Sequence, residues 1–181
     1  RARELQPGNV EWARAQALLL FKPRSLEPEP RTDNWREILA RCAQADPGNA
    51  LYDYLTAIEY WRYGATYSSS ETSTAWELDV QDDDLWQQGI SAFEAGQQQP
   101  FLSFGTTGNY LAWRFAEHSS LSQSDAMELA CDRSSIGRAR DRLYGLMRWQ
   151  LVRGDAALQD DKLEAARSAY RAVMRVDEQL A

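Results

Sequence analysis

A short helix-breaking sequence, Asp46-Pro47-Gly48-Asn49, separates two strongly amphipathic segments of this 181-residue chain. Proline lacks a backbone N–H and glycine readily adopts positive φ, so these residues predict a tight turn. Apolar residues recur at helical spacing on both sides of the turn. They are Trp35, Ile38, Leu39, Cys42 and Ala45 before it, and Leu51, Tyr54, Leu55, Ile58 and Trp61 after it. The pattern predicts two antiparallel helices, over 34–46 and 50–63, that pack through these stripes.

Glycine, proline and polar clusters divide the rest of the chain into further helices and one extended piece. We expect about six or seven helices in total, and therefore an all-α fold of antiparallel helix pairs. The additional helices are predicted over 10–21, from Asp82 to Pro100, over 109–118, from near Ser124 to Leu151, and from about Asp160. Asn34 with Glu37 resembles a capping box, and Asp82-Asp83-Asp84 offers carboxylates to the free N–H groups of the following helix.

The helical pattern is interrupted after Gly64. Residues 68–74 are all Ser, Thr, or Glu, a composition that predicts a loop. Trp76, Leu78 and Val80 then alternate with polar residues, and this period of two predicts a short strand near residues 75–80. We therefore interpret 64–84 as an irregular acidic insertion within a single helical domain over 1–181, a length typical of one domain.

Several residues beside the turn match the pattern of a known helical repeat. Ala57 and Tyr60 supply the small residue and the tyrosine of its first helix. Pro47 supplies the proline that closes its second helix. Three apolar residues occupy inward positions of that second helix: Trp35, Leu39 and Cys42. On these residues the chain resembles the tetratricopeptide repeat family.

The resemblance to the tetratricopeptide repeat family covers residues 33–63 and, more weakly, residues 143–177. Asp53 and Thr56 stand where the family has an aromatic residue and a leucine, and Gln81 interrupts the array with extended sequence. The resemblance implies a right-handed stack of antiparallel helix pairs. It also implies a protein-interaction or scaffold module without catalysis.

The charge of the chain is concentrated in one region. No Lys or Arg occurs between Tyr63 and Trp113, whereas seven acidic residues do, and they equal the net charge of −7. These are Glu71, Glu77, Asp79, Asp82, Asp83, Asp84 and Glu94. Such a region favours a basic protein or peptide partner. The arginine-rich stretch 133–153 is not predicted to bind nucleic acid, because the overall charge repels phosphate and the acidic region offers an internal partner.

The acidic insertion is the predicted partner-binding site. An exposed strand edge can accept a partner strand by main-chain pairing. The candidate residues are Trp76, Leu78, Asp79, Asp82, Asp83 and Asp84. A structural alternative stays open, in which Trp76, Leu78 and Val80 only cover the open end of the helical stack.

A second functional hypothesis is a ligand-binding domain, in which exposed aromatic rings stack on a sugar or a small amphiphile. The rings are those of Trp76, Trp86, Phe101, Phe104, Tyr110 and Trp113. Exposure distinguishes the two hypotheses, because large aromatic side chains are mostly buried in the core. Burial of these rings would remove the basis of the ligand hypothesis.

Catalytic and metal-binding motifs are weak in this sequence. His118 is the sole histidine, and Cys42 and Cys131 lack a nucleophile signature, so no catalytic triad is expected. The consecutive acids at 82–84 lack the glycine turn and terminal Glu of a calcium loop. We expect no enzyme activity, no metal and no cofactor.

Membrane insertion is also not predicted within this chain. Its longest aliphatic run, 17–21, is far shorter than the ~20 residues of a transmembrane helix. The chain begins at Arg1 rather than Met, so one expectation is that a signal or anchor segment was removed, which would make this an extracytoplasmic domain. The two cysteines do not define a redox compartment.

Overall fold

The computed structural model describes residues 10–20, 34–69, 76–104 and 134–180. These residues form six α-helices and one two-stranded antiparallel sheet, which confirms the predicted, mostly helical fold with a short extended segment. The elements are α1 (Val10–Leu20), α2 (Trp35–Ala45), α3 (Leu51–Gly64), β1 (Ala65–Ser69), β2 (Trp76–Val80), α4 (Asp83–Gln98), α5 (Ser134–Gln159) and α6 (Leu163–Leu180). The predicted helix over 109–118, with Tyr110, Trp113 and His118, lies outside the described residues, as does Cys131.

The chain forms two compact units, one of residues 1–47 with 104–141 and one of 48–103 with 142–181. The single domain expected over 1–181 stays a prediction. In the first unit, Arg14 on α1 makes a bidentate ion pair with Asp46, with Nε 2.7 Å from Oδ2 and a second N–H nitrogen 3.0 Å from Oδ1. Because Asp46 also ends α2 by donating its backbone N–H to the Cys42 carbonyl, this pair attaches the end of α2 to α1.

Helix α2 confirms the buried stripe but not the capping box. Trp35, Leu39 and Cys42 are buried, as the helical spacing predicted. Asn34 precedes the helix, yet its side chain makes no capping hydrogen bond. The capping box is therefore wrong, because Asn34 has φ −102° and ψ 15° rather than the extended backbone that aims an N-cap side chain at the helix.

The predicted turn between α2 and α3 is confirmed, and Asn49 is its central side chain. Gly48 has φ +83°, a conformation that a residue with a Cβ atom rarely adopts. The buried Asn49 Oδ1 accepts hydrogen bonds from the N–H groups of Leu51 (3.1 Å) and Ser103 (3.0 Å), and its Nδ2 donates to the Ser103 carbonyl (2.8 Å). These three bonds join the start of α3 to the segment that follows α4.

Helix α3 is the centre of the second unit. Its predicted stripe is buried, and so are Tyr52, Ala57 and Glu59 on its other sides. Helix α4 packs against it through glycines: a Cβ atom at Gly89 would collide with the Trp61 indole, and one at Gly96 would lie 2.6 Å from a Tyr54 ring carbon. The two glycines, seven residues apart on one face of α4, therefore allow the aromatic rings of α3 to lie directly on the helix backbone.

Helix α5 extends further than the sequence predicted. The predicted end at Leu151 is wrong, because the helix continues through Gly154 to Gln159. A Cβ atom at Gly154 would collide with the Tyr170 ring of α6, so this glycine serves a close helix contact rather than a helix end. Asp161, with φ +57°, turns the chain into α6.

Gln150 on α5 is a polar side chain in the interior of the second unit. It is fully buried, and neither of its amide atoms has a hydrogen-bond partner within the part of the chain that the structure describes. An unsatisfied buried polar group costs ~1–3 kcal/mol. We expect Gln150→Met to raise the free energy of unfolding by about 1–3 kcal/mol, measured by urea denaturation.

The matched control for this substitution is Gln159→Met, at an exposed position of the same helix. It should change the free energy of unfolding by less than ~0.5 kcal/mol. A loss of stability in Gln150→Met would show that the amide makes a favourable interaction in solution.

Candidate functional site

A β-hairpin carries most of the candidate site. Its strands pair antiparallel, with Ala65 opposite Val80, Tyr67 opposite Leu78 and Ser69 opposite Trp76. In β2 the half-buried and exposed residues alternate, which confirms the predicted period of two. Assigning Ser68 and Ser69 to a loop was wrong, since both belong to β1.

The inner face of the hairpin is aromatic and packs on α5. The Tyr67 ring meets the rings of Trp76 and Trp149 edge-on, with centroid distances of 5.5 and 4.6 Å. Trp149 in turn contacts Trp61 (6.2 Å) and Trp86 (5.8 Å) in the core. This continuous series of rings holds the hairpin against the helices, since each aromatic pair adds ~0.5–1.5 kcal/mol to its apolar burial.

Asp155 holds the same hairpin against α5 through a hydrogen bond. Its Oδ2 accepts a hydrogen bond from the Trp76 backbone N–H (3.4 Å), and its Oδ1 accepts one from the Tyr170 hydroxyl (2.6 Å). Burial and the neighbouring Asp155 carboxylate raise the pKa of Tyr170 to about 12, so the hydroxyl keeps the proton that it donates. The guanidinium of Arg148 lies 5.4 Å from the centroid of the Trp76 ring, a cation–π contact.

The outer face of the hairpin is polar and exposed. Thr66 and Ser68 on β1 lie opposite Asp79 and Glu77 on β2, and all four side chains are exposed. The Gly64 carbonyl accepts hydrogen bonds from the N–H groups that follow β2, at Gln81 (2.8 Å) and Asp82 (2.9 Å). The hairpin is thereby joined directly to the start of α4.

The start of α4 adds three carboxylates to this face. Asp82 Oδ1 accepts a hydrogen bond from the Leu85 N–H (3.0 Å), so the predicted capping role is confirmed. Asp83 and Asp84 lie in the first turn of the helix, where carboxylates are favourable, and both are exposed. We call the exposed carboxylates of Glu77, Asp79, Asp82, Asp83 and Asp84 the acidic surface.

The structure divides the six predicted partner-binding residues into two groups. Asp79, Asp82, Asp83 and Asp84 belong to the acidic surface, whereas Trp76 and Leu78 are half-buried on the inner face of the hairpin. This division leaves the carboxylates exposed to solvent, and both the partner-binding and the covering interpretation stay predictions.

The aromatic rings of the ligand hypothesis are mostly packed. Trp86 is buried, and Trp76 contacts Tyr67. Phe104 is half-buried, and Phe101 is 36% exposed. The described rings therefore give little support to a stacking site, and the ligand hypothesis stays a prediction.

Two arginines of the predicted basic stretch lie near acidic or aromatic groups of the second unit. The Arg148 guanidinium makes a cation–π contact with Trp76. Burial lowers the pKa of Arg153, and the attraction of Glu94 opposes this shift. Glu94 of the acidic region therefore acts on Arg153, whereas Arg148 contacts an aromatic ring rather than a carboxylate within the described part of the chain.

Metal binding, membrane insertion and similarity to known proteins are the remaining points that bear on the site. Within residues 10–20, 34–69, 76–104 and 134–180, no three His, Cys, Asp or Glu side chains are grouped to hold a metal ion. None of the helices in those ranges is long and apolar enough to cross a bilayer. The chain matches no protein-family model, no curated protein and no solved structure.

Proposed function

We propose that this chain is a protein-interaction module of the tetratricopeptide-like class that binds a basic segment of a partner protein through the acidic surface. The observation that carries the proposal is the exposure of all five carboxylates on one hairpin and the adjoining helix turn. No Lys or Arg occurs in residues 64–112, so no basic side chain of this segment neutralises them. The negative electrostatic potential of these carboxylates attracts a positively charged partner, and this attraction weakens as salt is added.

The hairpin also offers main-chain groups to an extended partner. The described sheet has two strands, so each strand has one edge without a neighbouring strand in this part of the chain. A partner strand that pairs with such an edge places alternate side chains on the outer face, beside Glu77 and Asp79. Lys or Arg at those positions would pair with the carboxylates. The hairpin is held from behind by Tyr67 and Asp155, which favours binding without prior rearrangement.

Neutralising the acidic surface tests this function. The variant Asp82→Asn/Asp83→Asn/Asp84→Asn removes three charges, and asparagine at position 82 preserves the helix cap. We expect it to bind a Lys/Arg-rich extended peptide about tenfold more weakly than the unmodified chain at low salt, because exposed ion pairs contribute ~0.2–1 kcal/mol each. Its affinity should also depend less on salt concentration, both measured by fluorescence anisotropy.

The control variant Asp160→Asn/Asp161→Asn/Glu164→Gln removes the same number of charges at the α5–α6 turn. These side chains are exposed and lie outside the acidic surface. The control should retain the affinity and most of the salt dependence of the unmodified chain. Equal binding by both variants would reject the acidic surface as the partner site.

A further inference from the structure

Helix α5 exposes a regular apolar stripe that the proposed function does not use. The stripe consists of Tyr144, Leu151 and Leu158, which are 58%, 41% and 43% exposed. A spacing of seven residues places all three on one face of the helix. Large apolar side chains aligned on an exposed helix face mark an interaction surface.

Helix α6 widens this apolar surface. The Tyr170 ring lies on Gly154 and its hydroxyl donates to Asp155, so Tyr170 packs on α5 at a level between Leu151 and Leu158. Leu163 and Met174 are spaced seven and four residues from Tyr170, which places them on the same face of α6. They are 59% and 66% exposed. The apolar area therefore spans both helices.

We propose that a second copy of this chain covers the stripe, with the two α5 helices packed antiparallel about a two-fold axis at Leu151. The stripe has equal spacing on either side of Leu151, so rotation about such an axis brings Leu151 onto its own copy. The same rotation brings Tyr144 onto Leu158 of the other copy. A two-fold interface requires this kind of self-complementary surface.

The charges beside the stripe favour the antiparallel orientation. Arg148 and Asp155 occupy the same flank of the stripe, one heptad apart, and carry opposite charge. Antiparallel helices align like flanks, so Arg148 of each copy meets Asp155 of the other. Parallel helices would align this flank with the opposite one, where Gln150 is buried within its own copy and Ala157 carries no charge, so no ion pair could form.

Within one copy, the contacts of Arg148 and Asp155 leave both side chains able to form this ion pair with the other copy. The Arg148 guanidinium lies over the Trp76 ring, 5.4 Å from its centroid, and a cation–π contact does not require its N–H groups as hydrogen-bond donors. Asp155 accepts one hydrogen bond at each oxygen, and a carboxylate has about four acceptor positions. The two ion pairs lie on either side of the central Leu151 contact.

The oligomeric state of the full chain tests the inference. Sedimentation equilibrium should give a dimer for the unmodified chain and a monomer at the same concentration for Leu151→Arg, in which two like charges meet at the axis. Ala95→Arg adds the same charge at an exposed position of α4 and should remain dimeric. A monomeric unmodified chain would overturn the proposal, and a dimeric Leu151→Arg would place the interface elsewhere.

Disulfide crosslinking tests the register. Leu151→Cys should crosslink to its own copy under mild oxidation, because the two residues meet at the axis. Leu158→Cys alone should not crosslink, but it should do so when mixed with Tyr144→Cys. The unmodified chain controls for its two native cysteines, and crosslinking of Leu158→Cys with itself would contradict the register.

Discussion

Replacing Trp61 with alanine should lower the free energy of unfolding by about 3–5 kcal/mol, the range observed for truncation of a buried Trp. The Trp61 side chain is fully buried, and its ring contacts those of Trp86 (5.7 Å), Phe93 (5.6 Å) and Trp149 (6.2 Å). Gly89 brings the backbone of α4 against the same ring. Truncation therefore leaves a cavity where α3, α4 and α5 meet, and helices built around rigid rings cannot close it fully.

Urea denaturation, monitored by circular dichroism, measures this effect without relying on the fluorescence of Trp61, which the substitution removes. Trp61→Phe should lose less stability, since Trp61 Nε1 has no hydrogen-bond partner in the described part of the chain and the substitution removes an unpaired donor. Gln88→Ala, at an exposed position of α4, should change stability by less than ~0.5 kcal/mol. A similarly small effect for Trp61→Ala would contradict the packing described above.

Replacing Gln179 with leucine should lower the free energy of unfolding by about 2–5 kcal/mol, because several buried polar groups would lose their partners. Gln179 Nε2 donates to the carbonyls of Gly96 (3.0 Å) and Gln99 (2.6 Å), and its Oε1 accepts a hydrogen bond from the Tyr54 hydroxyl. Burial raises the pKa of Tyr54, so this hydroxyl remains a neutral donor. The side chain thus joins α6 to both α3 and α4.

A double-mutant cycle separates this network from simple loss of packing. Tyr54→Phe/Gln179→Leu removes the unpaired hydroxyl as well, so the double variant should be more stable than the sum of the two single losses predicts. Glu178→Leu makes a similar change at the adjacent exposed position and should be nearly neutral. Strictly additive losses would show that Tyr54 and Gln179 do not interact.

Much of the helical fold follows from local spacing. The stripe on α3 and the cap at Asp82 involve residues within one or two helical turns, and both were predicted correctly. Strand β1 was missed because its Ser and Thr residues indicate a loop by composition, although Ala65 and Tyr67 alternate with them as inward-facing residues do. This alternation could have predicted β1, but the cluster of serines indicated a loop instead.

The groups that position the acidic surface were not predictable from local sequence. Asp155 binds Trp76 from 79 positions away, and neither residue carries a sequence signature of that contact. Gly154 was compatible from sequence with either a helix contact or a helix end, and its close contact with Tyr170 depends on how two helices pack. By contrast, the exposure of Asp79 and Asp82–Asp84 followed from charge alone, since unpaired carboxylates are almost never buried.

The hydrogen bonds of Gln179 also affect the order in which the fold is completed during synthesis. The Gln99 carbonyl precedes its partner Gln179 by 80 positions. At a translation rate of ~5–20 residues per second, α3 and α4 wait about 4–16 s for that side chain to be made. During this interval the Tyr54 hydroxyl and two carbonyls lack their partner, and the apolar faces that α5 and α6 will cover remain open. The packing of α3 and α4 is therefore completed only once α6 has been synthesised, and until then their apolar faces can contact other chains.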